Sequence, residues 1–326
     1  MMFYRIFSKN SFWAFALLPV ILIGLRARLL LSLELPLPGS AQTPLWELFY
    51  NTLKANPRYL NAAAILLTLI SALAVNRLTN QYNFTQRQTN LAGFFYIVFC
   101  SGFIMIQELQ PILVFIPFFI IATERLFLAA SAPSPMRYCF EASLWVSAAS
   151  LFYGKGVWFF PLLLLAMAMM RMFTFKSFMA ALIGMFLPYL FASTYYMLTN
   201  RLAHYYDATI ETILSPIAFF NHSLMSEIYL GVIISFVIIC LLSAIRRLTT
   251  VKIITRKYYR FIIWILFYPS ALVFSPWFSF EVWPLIAIGA SVVAATLMHN
   301  WQKNSYKEAI ILTLLTITIL TQWFVG

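Results

Sequence analysis

The sequence predicts an all-α fold, namely a polytopic transmembrane helical protein with about eleven spans. Of its 326 residues, 62% are hydrophobic and only 10% are charged, whereas soluble domains average roughly 25% charged residues. The apolar residues gather in segments close to the ~20 residues that a helix needs to cross a bilayer. These segments do not alternate in polarity as the strands of membrane barrels do. The distribution of basic residues between alternate loops, described below, agrees with this prediction.

The predicted spans cover the whole chain. The first follows Arg5 and Lys9. It is too long for the core of a signal peptide and lacks a convincing cleavage site, so we interpret it as an uncleaved anchor. No repeat of fixed period and no low-complexity linker divides the chain, so residues 1–326 are predicted to form a single membrane domain. The eleven predicted spans are residues 12–32, 59–76, 90–107, 111–129, 140–153, 157–170, 177–197, 225–245, 259–275, 279–298 and 308–325.

A short helix is predicted in the loop after the first span, in the stretch TPLWELFYNTLKANP. Thr43 suits the N-cap, Pro44 suits the first helical position, and Pro57 ends the helix. The apolar stripe consists of Leu45, Leu48, Phe49 and Leu53, and the polar stripe of Glu47, Asn51 and Lys54. We expect this helix to lie in the membrane interface with its apolar side down.

A second interfacial helix is predicted near residues 206–220, where Asp207 and Glu211 lie opposite an apolar stripe. Helices of this kind either roof an outward-facing cavity or fill the membrane surface. The sequence leaves both interpretations open.

The stretch ASLFYGKGVWFFP, residues 149–161, places Lys155 between two glycines in an apolar region. Glycine permits a tight turn, so residues 140–153 and 157–170 are predicted to form a hairpin with Lys155 at its outward tip. One continuous helix over 140–170 would move the basic stretch RRLTTVKIITRKYYR to the outer side, against the positive-inside rule. Whether the hairpin is full or re-entrant stays open.

The net charge of +12 follows from topology. With the N-terminus in the cytoplasm, sixteen of the 22 basic residues fall on the inner side, four (Lys54, Arg58, Lys155 and Arg201) on the outer side, and two (Arg26 and Arg28) within the first span. This bias is the positive-inside rule. It predicts a bacterial inner-membrane protein with a cytoplasmic N-terminus and a periplasmic C-terminus, and it disfavours binding to nucleic acid.

The acidic residues have the opposite distribution, with seven of ten near the outer side. Glu47 lies on the polar stripe of the first interfacial helix, and Glu108 ends the third span. Paired carboxylates can divide the roles of general acid and base when they meet in space. Each of them is alternatively a solvated surface residue.

Lys155 is a candidate ligand for a phosphate, because lysine is a compact cation. The alternative is a turn lysine that extends into the headgroup region. Arg26 and Arg28 lie deeper, where a charge usually faces a polar interior. With Lys155 and Arg58 they are predicted to form an anion-binding patch, unless the first span ends before them.

No cofactor or metal ion is predicted. The chain has no Walker loop, no GxGxxG and no HExxH, and its three histidines are divided between the two sides. The cysteines Cys100, Cys139 and Cys240 show neither a disulfide framework nor a metal-ligand spacing.

Three stretches of the chain are similar to a family of polytopic inner-membrane proteins known mainly from Bacteroidota. They are NAAAILLTLISALAVNRLTNQYNF at 61–84, FEASLWVSAASLFY at 140–153 and RMFTFKSFMAALIGMFLPYLFASTYYML at 171–198. The members of that family have no established activity, so this resemblance implies a location and no reaction.

Residues 12–170 resemble the membrane module of C-type (GT-C) glycosyltransferases, and residues 177–325 would add further spans. Some of those enzymes have a hairpin that reads roughly GLxxLTKGxxxLxxP, and this chain has AASLFYGKGVWFFP there. The resemblance implies transfer of a sugar from a polyprenyl-phosphate lipid on the outer side, with Lys155 on the phosphate. The acid that this family usually keeps after the first span, most often Asp, is absent from LPLPGSAQTP. Glu34, just before that stretch, and Glu47 remain the candidate bases.

Two functional hypotheses follow, together with a third from a different class. The first is a non-catalytic component of cell-envelope biogenesis that contacts membrane lipid and envelope protein partners. The second is a GT-C-like glycosyltransferase, which requires a carboxylate near Lys155 in a cavity open to the outer leaflet. The third is a transporter, although the spans show neither mid-span acids nor matched breaks in two halves.

Overall fold

A computed structural model describes residues 3–8, 11–28, 43–215, 224–249, 251–301 and 304–324. Within these ranges the chain forms helices joined by short turns, with no strand. The α-helices are α1 Phe3–Phe7, α2 Phe12–Leu25, α3 Pro44–Leu53, α4 Pro57–Gln81, α5 Leu91–Ser101, α6 Ile104–Gln107, α7 Pro111–Ala129, α8 Met136–Ser150, α9 Phe160–Met169, α10 Phe175–Leu198, α11 Leu202–Leu214, α12 Leu224–Arg247, α13 Ile253–Leu272, α14 Trp283–Asn300 and α15 Asn304–Phe324. Two 3₁₀ helices, Gly154–Phe159 and Phe280–Val282, precede α9 and α14.

Each of the eleven segments predicted as spans contains a helix. Five helical segments of the described chain are long and apolar enough to cross a membrane: Pro57–Gln81, Pro111–Ala129, Phe175–Leu198, Ser226–Arg246 and Phe280–His299. Phe12–Leu25, Leu91–Ser101 and Gly154–Met169 are apolar but shorter. The structure therefore confirms an all-α fold whose apolar helices are those of a multi-pass membrane protein. The count of about eleven spans stays a prediction.

The centre of the protein is built on α5 and α14. Every residue of α5 is buried, and α2, α4, α14 and α15 pack around it. The Trp283 indole N–H in α14 donates to the Phe99 carbonyl of α5 at 2.9 Å. The Tyr229 hydroxyl in α12 donates to the neighbouring Val98 carbonyl at 3.1 Å. Aromatic side chains on the surrounding helices thus satisfy their own polar groups on the central helix.

The predicted hairpin after α8 is present. Only six residues separate α7 from α8, so α8 begins beside the end of α7. Tyr258 of α13 donates to the Phe127 carbonyl near that end of α7 at 3.0 Å. The preceding residue, Lys257, donates to the carbonyl of Met170, just after α9, at 3.2 Å. The end of α9 therefore returns to the end of the bundle where α8 begins.

The crossing of α8 and α10 depends on small side chains. A Cβ atom on Gly184 would lie 2.2 Å from the Ser143 hydroxyl and 2.5 Å from the Phe140 carbonyl oxygen. The Ser147 hydroxyl donates to the Met185 carbonyl across the same crossing. Glycine and serine let membrane helices approach closely and bond to each other, so this contact has no room for an added methyl group.

Substituting Gly184→Ala is expected to lower the melting temperature of the detergent-solubilised protein, because the forced separation of α8 and α10 costs about 1–3 kcal/mol. The matched control is Gly231→Ala in α12, where a Cβ atom would meet nothing within 4 Å. It should keep or slightly raise the melting temperature, since alanine is the better helix former. Equal melting temperatures for the two variants would contradict the close crossing.

Candidate functional site

Lys155 lies in a closed cluster at the turn between α8 and α9. The helix α8 ends at Ser150, and a 3₁₀ helix over Gly154–Phe159 leads into α9. The Lys155 side chain is directed inward, so the residue is only 5% exposed. Its Nζ atom lies 3.4 Å from the Glu281 Oε1 atom and 5.8 Å from the centre of the Phe278 ring. The predicted turn between the two helices is present, and its lysine packs inside the protein rather than extending away from it.

The carboxylate of Glu281 binds two donors of this turn. The Tyr153 hydroxyl donates to the same Oε1 atom at 3.0 Å, beside the Lys155 ammonium. Glu281 lies in the short 3₁₀ helix that precedes α14. Burial lowers the pKa of Lys155, and the charge of the Glu281 carboxylate opposes that shift. The pair therefore neutralises its own charge inside the protein.

The two glycines serve close approach at this turn rather than an unusual backbone conformation. Neither has a positive φ. A Cβ atom on Gly154 would lie 2.9 Å from a Thr212 methyl carbon of α11, and one on Gly156 would lie 2.5 Å from the Phe115 ring. The sequence-based expectation of a turn was therefore right, but the physical reason for the glycines is packing.

The two helices that were predicted to lie in the membrane interface both contact the turn. The Thr43 hydroxyl at the start of α3 donates to the Phe152 carbonyl at 2.9 Å, while Thr212 of α11 packs on Gly154. The predicted helix near 206–220 is α11, Leu202–Leu214, and residues 216–223 lie outside the described chain. Both helices therefore cover the turn that holds Lys155.

The inward side of α3 includes a residue that is not in the predicted apolar stripe. Its most buried aromatic side chain is Trp46, which is 1% exposed, whereas Leu48 of the predicted apolar stripe is 56% exposed. Trp46 packs against Phe49 and Tyr50 on its own helix, with ring centres 5.6 and 6.2 Å apart. An indole offers a larger apolar area than a leucine, so it decides which side of this short helix turns inward.

Arg26 occupies a separate buried position. It follows the last turn of α2 and is completely buried. One guanidinium nitrogen, Nη1, donates to the Gln107 carbonyl at 3.2 Å, but Nε and Nη2 have no hydrogen-bond partner among the described residues. The Gln107 amide in turn donates to the Ser101 carbonyl at 2.6 Å. Arg26 thus joins the end of α2 to the residues that follow α5.

Lys155 pairs with Glu281 rather than with any of the predicted site residues that the structure describes. The Arg28 side chain is exposed and donates to the Gln322 carbonyl of α15. Arg58 is exposed in the first turn of α4, and Glu47 is exposed on α3. Glu108 is half-buried just after α6. Glu34 lies outside the described residues.

Sequence reasoning missed the acid that faces Lys155. That acid is Glu281, at the start of an apolar helix and in the group assigned to the outer side. The charge rule had therefore already assigned Lys155 and Glu281 to the same side of the membrane. This shared assignment is the signal from which the pair could have been predicted. Tyr153, directly before the glycines, gave no separate signal.

Two cavities in the described part of the molecule are apolar. One, of about 450 Å³, lies between α3 and the C-terminal half of α10. The other, of about 480 Å³, lies beside α12. The first is lined by Leu45, Leu48, Leu151, Pro188, Phe191, Ala192, Tyr195 and Tyr196. Neither cavity is lined by a charged side chain, so neither offers the acid, base or cation of a reaction site.

Among the described residues, no group of three or more His, Cys, Asp and Glu side chains lies close enough to hold a metal ion. The three cysteines are free and buried.

Comparison with protein-family models finds no match, and comparisons with curated proteins and with solved structures find no significant similarity. The functional interpretation of this chain therefore depends on its own residues.

Replacing Glu281 with Gln is expected to destabilise the detergent-solubilised protein by about 3 kcal/mol, because the buried Lys155 ammonium would lose its counter-charge. The double variant Lys155→Met/Glu281→Gln should recover much of this loss, since it carries no unpaired charge. Thermal unfolding of both single variants and the double variant measures the coupling.

The control for this cycle is Arg77→Gln. Arg77 pairs with Glu124 at 3.2 Å, but its side chain is 72% exposed, so its loss should leave the melting temperature nearly unchanged. Strictly additive effects of the Lys155 and Glu281 substitutions would contradict the ion pair.

Proposed function

We propose that this protein is a non-catalytic component of cell-envelope biogenesis in a bacterial inner membrane. The observation that best supports this proposal is the burial of Lys155, the cation that the resemblance to glycosyltransferases would assign to a lipid phosphate. Its charge is neutralised by Glu281 at 3.4 Å, and the turn that carries it is covered by α3 and α11. An anionic substrate would have to displace an internal carboxylate to reach it.

The position of Glu47, the candidate catalytic base, also supports a non-catalytic role. Glu47 is exposed on α3, while the cavity between α3 and α10 is lined by apolar side chains and two tyrosines. A groove of this chemistry suits a lipid chain better than a charged transition state. On this proposal the protein contacts membrane lipid and envelope protein partners through its apolar periphery.

The proposed architecture has about eleven spans, with a GT-C-like arrangement in residues 12–170. The N-terminus is cytoplasmic and the C-terminus periplasmic. The contacts at the two ends of the bundle support the division of the loops between two sides. The ion pairs of Arg77 and Arg125 and the bond from Lys257 to Met170 gather at the end of the bundle assigned to the cytoplasm. The Lys155–Glu281 pair lies at the end assigned to the periplasm.

The alternative is a GT-C-like glycosyltransferase that uses a polyprenyl-phosphate-linked sugar, and one observation favours it. A carboxylate, a phenol and an ammonium group converge at Glu281, Tyr153 and Lys155. In such an enzyme Glu281 would take the role of the base instead of Glu34 or Glu47. This alternative requires the turn to open towards a lipid-linked substrate.

The orientation can be tested by single cysteines on a background whose native cysteines are buried. Lys54 and Arg87 are both exposed. Lys54→Cys should react with a membrane-impermeant thiol reagent in intact spheroplasts, whereas Arg87→Cys should react only after permeabilisation. The unmodified protein is the control, and the reverse pattern would overturn the proposed orientation.

The absence of catalysis can be tested by complementation. A strain that lacks the protein is expected to become sensitive to envelope stress. Glu47→Gln and the double variant Lys155→Met/Glu281→Gln should restore resistance fully at wild-type protein levels, because neither removes a group that acts on a substrate. Loss of resistance in a variant that is present at normal levels would favour the enzyme, with Lys54→Gln as the matched surface control.

A further inference from the structure

A set of basic residues at the end of the bundle opposite Lys155 lacks counter-charges. It consists of Arg171, Lys176, Arg246, Lys252, Arg256, Lys257 and Arg260, which we call the basic surface. The chain contains no Asp or Glu between residues 142 and 206 or between 228 and 280. Within the described residues, no ion pair involves any of these seven side chains.

The acids on the same side of the protein are already engaged elsewhere. Glu124 pairs with Arg77 at 3.2 Å. Glu141 pairs with Arg125 at 3.4 Å and with Arg137 at 2.8 Å. Glu308 accepts a hydrogen bond from the Tyr4 backbone N–H at 3.3 Å. The basic surface therefore keeps an uncompensated positive charge.

Tertiary contacts bring two distant segments into this surface. The Lys257 ammonium donates to the Met170 carbonyl at 3.2 Å, beside Arg171. The Arg256 Nη2 atom donates to the Thr249 carbonyl at 3.3 Å, while its Nε atom is buried without a partner among the described residues. The start of α13 thus contacts both the turn before α10 and the loop after α12.

The N-cap of α13 and the first two turns of that helix present a regular row of cations. Lys252, Arg256 and Arg260 are spaced four residues apart, so their side chains follow one another along the helix. Arginine can bind the oxygens of a phosphate through two parallel N–H groups. A row of this kind matches a phosphate-bearing group that approaches from the membrane surface.

Exposed apolar side chains lie beside these cations. Phe175 and Ile253 are each 76% exposed, and Phe173 is 52% exposed. Phe173 and Phe175 lie between Arg171 and Lys176 in the sequence, and Ile253 follows Lys252. A ligand that satisfies both kinds of side chain has an anionic head and an apolar tail.

We propose that the basic surface binds the headgroup of an anionic phospholipid, whose acyl chains lie along Phe173, Phe175 and Ile253. The charge complementarity selects a lipid phosphate, and the adjacent apolar residues select a lipid over a soluble phosphate. In the proposed orientation this lipid belongs to the cytoplasmic leaflet, where basic residues near an anionic surface favour binding.

The test uses the full chain in detergent and native mass spectrometry with added phosphatidylglycerol or phosphatidylcholine. The wild type should bind phosphatidylglycerol preferentially, and added NaCl should weaken that preference. The variant Lys252→Gln/Arg256→Gln/Arg260→Gln should lose about tenfold or more of its affinity for phosphatidylglycerol while its binding of phosphatidylcholine stays the same. Glycerol phosphate at equal concentration should not displace the lipid.

The matched control is Lys54→Gln/Arg58→Gln/Arg87→Gln, which removes the same charge from exposed positions outside the basic surface. It should keep the preference for phosphatidylglycerol. If the triple variant unfolds through loss of the Arg256–Thr249 bond, then Lys252→Gln/Arg260→Gln should still weaken binding. Equal binding of the two lipids by the wild type, an equal loss in the control, or displacement by glycerol phosphate would overturn the proposal. Because detergent has no sidedness, these outcomes are independent of the proposed function and orientation.

Discussion

The structure depends on the need of a buried cation for an opposite charge. Lys155 lies out of water in a turn, and an isolated ammonium group there would cost several kcal/mol. Glu281 meets this need from a position 126 residues further along the chain. Since Glu281 directly precedes the buried helix α14, the ion pair attaches the turn after α8 to the centre of the protein. The helices α3 and α11 pack on this same turn.

The two ends of the helix bundle differ in how their basic side chains are paired. At the end with Lys155, the Lys155 ammonium is paired internally, and Arg26 and Arg28 donate to backbone carbonyls. At the other end, the three acids Glu124, Glu141 and Glu308 bind residues outside the basic surface. The basic surface therefore has no carboxylate partner among the described residues. The Lys155 charge is already neutralised by Glu281, whereas the charge of the basic surface remains to attract an anionic ligand. This contrast explains why the proposed lipid contact lies away from the residues that first suggested one.

Several sequence-based predictions were right because they depend on local physics. Thr43 accepts a hydrogen bond from the Trp46 backbone N–H as an N-cap, and Pro44 takes the first position of α3. Pro57, which was expected to end this helix, instead begins α4 after α3 has ended at Leu53. The hairpin at Lys155 followed from charge counting, since only a return of the chain keeps later basic loops on one side. The prediction of an anion-binding patch has less support from the structure. Its members Lys155, Arg26 and Arg28 contact different partners, namely Glu281, the Gln107 carbonyl and the Gln322 carbonyl.

Local patterns are enough to predict where helices form and which loops carry positive charge, because apolar runs and basic residues act through the helix period and through insertion into a membrane. Folding, by contrast, places Glu281 beside Lys155, buries Trp46 of α3 and brings Arg171 beside Lys257. These features depend on contacts between residues far apart in the chain. Neither the period of a helix nor the charge of a loop encodes which distant side chain will be the partner.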